Sequence, residues 1–159
     1  MTWLPEPVQR LLEAALVAEL SVVGRDGRLI TYPLIPLWNG ERIYMTSSVL
    51  FSRKLDHIRQ DGRVSVSLSD PIALGGHPGR ATIQGDARVI DDDVHEGWTR
   101  VLPLWRAKEP VIDWFITQRV ALPLFFERAL IEIVPRQALY WPDGRTEVAP
   151  LSYTGAEAA

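Results

Sequence analysis

Residues 63–69 read Arg-Val-Ser-Val-Ser-Leu-Ser, with Val64, Val66 and Leu68 alternating against serines. A period of two puts the apolar side chains on one face of a strand, so the segment predicts a half-buried strand with one small polar face. That face either meets water or lies beneath a planar ligand. Looser apolar patterns predict further strands at Ala18–Val23, 29–38, 42–46, Arg80–Ile90, 130–134 and 137–141. Gly24-Arg25-Asp26-Gly27 and Asn39-Gly40 are hairpin turn signals, so the first three strands form an antiparallel meander. Pro33 and Pro36 lack an N–H and confine their strand to an edge, a bulge or an end. Gly85-Asp86 predicts a bulge that lets the 80–90 strand curl.

Helical spacing is found at Val8, Leu11, Leu12, Ala15 and Leu16, behind a proline entrance, which predicts an amphipathic helix over 5–18. A short helix is expected over 54–60, closed by Gly62, and another over 93–102, capped by Asp91-Asp92-Asp93. The three aspartates lack ligand spacing, which favours capping and solvation over a cation site. Residues 70–79 hold three glycines and two prolines and predict a loop. Its Gly-Gly pair lacks the strand-to-helix setting of a phosphate cradle. From 98 to 126, Trp98, Trp105, Trp114, Phe115, Phe125 and Phe126 are divided by Pro103, Pro110 and Pro123 into short helical pieces, an aromatic stripe suited to core or dimer contact. Six or seven antiparallel strands with helices at start, middle and late positions predict a mainly β fold, a closed or nearly closed barrel with peripheral helices.

At 159 residues and 47% hydrophobic, the chain reads as one domain over 1–153 with a frayed tail over 154–159. The absence of cysteine excludes disulfides, thiol catalysis and thiolate metal sites, and fits a cytoplasmic protein. His57, His77 and His95 stand apart, so no metal site is expected. A net charge of −3 argues against a surface made for nucleic acid. No basic leader precedes an apolar core and no apolar run approaches ~20 residues, so no membrane span is expected.

The candidate chemistry lies in 42–68. A strand ending Met45-Thr46-Ser47-Ser48 feeds a helix that begins Ser52-Arg53-Lys54. Free N–H groups of a first helical turn, the helix dipole, two cations and the hydroxyls of Thr46, Ser47 and Ser52 all favour an anion at one point. Alternatively, Ser52 is only an N-cap, with Arg53, Lys54 and Arg59 on a solvated face.

The order strand, Thr, turn, Ser-Arg-Lys, short helix, Asp-Gly-Arg-Val-Ser resembles the flavin-phosphate segment of the pyridoxamine 5'-phosphate oxidase-like family, the FMN-binding split barrels. The resemblance runs from about Leu16 to Trp141. It implies an antiparallel split β-barrel, a homodimer with the cofactor in the seam, and an FMN-dependent oxidoreductase acting on a small molecule. It further implies that Met45 and Thr46 contact the cofactor through backbone and hydroxyl, and that Arg53 and Lys54 neutralise its phosphate. Arg80 falls where the family commonly reaches the other subunit's flavin with Gln. Trp141, followed by Arg145, resembles a Trp and Arg that flank the flavin. One alternative is a deazaflavin coenzyme, whose longer anionic tail Arg53, Lys54, Arg59 and Arg80 would also suit. Another is a non-catalytic flavin- or haem-binding protein, with His57 and His77 the histidines nearest the seam. No residue reads as acid, base or nucleophile, as expected where the cofactor carries the chemistry.

Overall fold

The computed structural model describes residues 2–50, 52–118 and 127–155. The alternating segments form one antiparallel sheet: β1 (Ala18–Val23), β2 (Leu29–Leu34), β3 (Leu37–Trp38), β4 (Ile43–Ser48), β5 (Arg63–Leu68), β6 (Arg80–Ile90), β7 (Arg128–Trp141) and β8 (Leu151–Thr154). The order across the sheet is β2-β1-β5-β6-β7-β4-β3. β6 lines one edge of β7, and β4 and β8 share the other in succession. The sheet curls into a split barrel whose inner face carries Leu20, Val22, Val66, Ile83, Ile131 and Ile133. α1 (Glu6–Ala14) packs Val8, Leu11 and Leu12 into that core, and α2 (Arg53–Gln60) packs Leu55 and Ile58. Each such side chain contributes about 1.5–3 kcal/mol. A second cluster lies on the other face of the sheet, where a 3-10 turn (Gly97–Val101), α3 (Leu102–Lys108) and α4 (Ile112–Thr117) bury Trp98, Trp105 and Ile112 against Leu37 and Leu130.

Several expectations need correction. The 29–38 strand breaks at Ile35-Pro36 into β2 and β3. The bulge belongs to the strand facing Gly85: Gln84 pairs with Gln137 and Gly85 with Pro135, which leaves Arg136 as the extra residue of β7. β7 therefore runs unbroken through Pro135, which lies where neither β4 nor β8 pairs with it. Gly85 is needed because a Cβ there would meet the Val134 carbonyl at 2.4 Å. Gly62 likewise answers a close approach, to the Ala87 carbonyl at 2.7 Å, and α2 is closed by Asp61. The 93–102 helix is replaced by a turn, capped as expected by Asp93, whose Oδ1 accepts from the His95 and Glu96 amides, and then by the 3-10 turn. β8 has no counterpart in the predicted strands. It holds Thr154 against Gln137, and the Gly155 amide donates to the Arg136 carbonyl. Phe125, Phe126 and the 156–159 part of the expected tail lie outside the described residues.

Candidate cofactor site

β4 ends beside the first turn of α2, and the hydroxyl-rich turn between them folds back on itself. Ser47, on the inward side of β4, is 2.8 Å from Ser52, oxygen to oxygen. Lys54 Nζ donates to both, at 3.0 Å to Ser47 Oγ and 3.2 Å to Ser52 Oγ, and stands 5.2 Å from the centre of the Tyr32 ring on β2. Ser52 thus serves Lys54 and Ser47, and no side chain caps α2. The N-terminal amides and dipole of α2 remain available to an anion.

The electrostatics point the same way. Among the described residues no carboxylate forms a salt bridge with Lys54; its neighbours are two hydroxyls and an aromatic face. Burial, and secondarily the nearby Arg128 guanidinium, push the Lys54 ammonium below its ordinary range. Arg128 opens β7, lies 5.4 Å from the centre of the Trp105 ring, and donates from Nε to Thr46 Oγ1 at 3.1 Å. Burial brings its guanidinium down to about 10. The Arg128 charge adds to the cost of keeping Lys54 charged, and an anion beside Lys54 relieves it.

The predicted site residues fall into three places. Ser47, Ser52 and Lys54 converge at the junction of β4 and α2, while Thr46, next in β4 and turned to its other face, meets Arg128. Met45 adjoins them in the chain, with its side chain fully buried in the core, leaving its backbone for any contact. Arg53 is exposed on α2, where it lines two open clefts, one with Arg59, Asp56 and Asp91, the other with Arg25, Asp26 and His57. Arg80 and Trp141 are register partners at the far end of the β6–β7 pair. β7 runs from Leu130, opposite Thr46, to Trp141, a span of roughly 35 Å of strand. Trp141 Nε1 donates to the Val148 carbonyl at 3.0 Å, and Arg80 lies against the Gly144 turn, while Arg145 pairs with Asp143. His57 is buried under α2, and His77 Nδ1 accepts from the Gly79 amide, near the opposite end of β6. Within one subunit, then, the phosphate-type cluster and the Arg80–Trp141 pair are separate.

Arg128 and Tyr32 escaped the sequence reading. Arg128 stands in an ordinary apolar strand, and only the β4–β7 register, which opposes it to Ser48, brings it to Thr46. No local signal in the sequence marks it.

No protein-family model matches the sequence, and no curated protein matches it. Solved structures do match in shape. A pyridoxamine 5'-phosphate oxidase-related, FMN binding protein from Nostoc punctiforme superposes with a TM-score of 0.66 over 100% of this chain and 94% of its own, at 12% identity. The chain has the split-barrel fold of the pyridoxamine 5'-phosphate oxidase-like proteins. An F420 reductase shares that fold at a TM-score of 0.61, with 18% identity over 87% of this chain and 99% of its own. A FAD-binding protein from Mesorhizobium loti does so at 0.59, with 19% identity over 86% and 94%. The residues that the split barrel brings together at β4 and α2 fit a flavin-type phosphate: a cationic donor, two hydroxyls and an uncapped helix start, with no carboxylate in salt-bridge reach of Lys54 among the described residues.

Proposed function

We propose that this split barrel is an FMN-dependent oxidoreductase acting on a small molecule, working as a homodimer with the cofactor in the seam. The observation that carries the proposal is Lys54, a half-buried ammonium held by Ser47 and Ser52 with no carboxylate in salt-bridge reach among the described residues. Burying such a charge costs stability unless an anion completes it. Lys54, Ser47, Ser52 and the α2 amides hold the phosphate, Arg128 holds Thr46 on the other face of β4, and the exposed Arg53 adds charge from outside. Arg80 and Trp141, too distant in their own subunit, serve the partner's site. When bound, the flavin supplies the redox chemistry, and the protein supplies position and field. Titration of the apoprotein with FMN, followed by fluorescence quenching, tests this. Saturable binding with one flavin per subunit is expected, and absence of binding overturns it.

A deazaflavin coenzyme is the second reading, favoured by Arg53, which adds a positive charge beyond Lys54 on the exposed face of α2, whereas Arg59 in the same cleft is already paired with Asp56 and Asp91. One similar structure is an F420 reductase. Competition between FMN and the deazaflavin for the same apoprotein separates the two: the tighter ligand names the cofactor.

A further inference from the structure

A cleft of about 500 Å³ lies between the β1–β2 turn and α2, and two arginines, Arg25 and Arg53, share it with Asp26, Ile30, Asp56 and His57. Both carboxylates are matched by arginines that do not line the cleft. Asp26 pairs with Arg28 at 3.5 Å, and Asp56 with Arg59 at 3.0 Å. Among the described residues no carboxylate forms a salt bridge with Arg25 or Arg53. The cleft therefore carries two uncompensated positive charges beside one half-exposed apolar side chain, Ile30.

This cleft adjoins the phosphate-type cluster. Tyr32 and Ile30 alternate onto one face of β2, about 7 Å apart along the strand. Tyr32 lies against the Lys54 ammonium, and Ile30 lines the cleft. Arg53 connects the two places from the side of α2. It follows Ser52, which accepts from Lys54, and stands about 100° around the helix from Lys54, where it lines the cleft. An anion held at Lys54 thus has guanidiniums one strand step further on, and a guanidinium fork takes two oxygens of a phosphate or carboxylate at once.

We infer that the cleft seats a second anionic group joined to the cofactor phosphate, so that FMN is the shortest ligand of the site and an extended flavin fills it. The inference rests on the phosphate site proposed above and adds the reach of its ligand. Two extensions share the required chemistry. One is the further phosphate of FAD, with its adenosine against Ile30, and the other is the anionic tail of a deazaflavin coenzyme. Both present anionic oxygens to Arg25 and Arg53.

Arg25 separates the inner site from its extension, because it lies in the exposed β1–β2 turn and takes no part in holding the first phosphate. Arg25→Gln removes the charge and keeps a polar side chain. The apoprotein and this variant are titrated at one ionic strength with FMN, FAD and the deazaflavin coenzyme, followed by fluorescence. The parent should bind at least one extended ligand about tenfold or more tightly than FMN. Arg25→Gln should weaken that ligand by about fivefold or more and leave FMN within twofold, and the ligand that responds identifies the second group. Extended ligands no tighter than FMN in the parent, or an Arg25→Gln variant that moves none of the three or moves FMN as much as the others, overturn the inference and leave the phosphate site standing. Absence of binding by all three overturns the flavin reading and this inference together.

Discussion

At the scale of single residues, Lys54 decides the most. Its ammonium is already desolvated and already held at Ser47 and Ser52. A phosphate arriving there gains a charge-assisted contact without paying again to order the side chain. Lys54→Ala is expected to weaken FMN binding at least about tenfold, on the order of 1.5–3 kcal/mol, with the fold retained; an affinity within twofold of the parent would remove the support for this contact. The same residue sets a pH dependence. Burial lowers the free protein's Lys54 below the ordinary lysine value, and a bound phosphate stabilises the charged form and raises it again. Affinity should therefore be flat near neutrality and fall as pH rises through the free-state value, below that of an exposed lysine. Isothermal titrations across alkaline pH check this, and the fall should be absent in Lys54→Ala.

At the scale of elements, the sheet depends on two places where a backbone comes too close for a side chain. Gly85 lies in the middle of β6 under the Val134 carbonyl, and an added Cβ at 2.4 Å has no soft neighbour to displace. Gly85→Ala should cost about 3 kcal/mol or more, whereas Gly27→Ala, in an open turn at φ 78, should cost about 1 kcal/mol from backbone strain alone. Urea unfolding of both variants measures the difference, and equal losses would contradict the packing account. These elements also show what the sequence could disclose. Alternation at Val64, Val66 and Leu68 and the turn residues around Gly27 and Gly40 locate strands because local sterics and burial act over a few residues. The bulge at Arg136 is a property of two strands aligned across about fifty residues of chain, and Pro135 reads locally as a strand end. β8 is four residues with three exposed side chains, too weakly patterned to stand out. The Ser-Arg-Lys cluster was legible as chemistry, yet its division was not: helical geometry turns Lys54 inward onto Ser47 and leaves Arg53 on the exposed side, about 100° around α2.

At the scale of the molecule, the proposed homodimer accounts for the separation between the Lys54 cluster and the Arg80–Trp141 pair if each site is shared by two subunits related by a two-fold axis. An isologous arrangement places Lys54 of one subunit and Arg80 of its partner in one site, and the reverse pair in the other. The consequence can be measured without knowing the substrate. Lys54→Ala and Arg80→Glu should each weaken FMN binding as homodimers, the first by losing a phosphate contact and the second by placing a negative charge beside the anionic cofactor. After the two variants are mixed, unfolded together and refolded, half the dimers are mixed, and each of these carries one site with both substitutions and one with neither. About a quarter of all sites should then bind FMN with the parent affinity. Recovery of that fraction in a titration of the mixture fixes Lys54 and Arg80 as partners across the seam. If no high-affinity fraction returns although mixed dimers are detected by native mass spectrometry, the two residues do not share a site, and Arg80 belongs to the β6–β7 end of its own subunit alone.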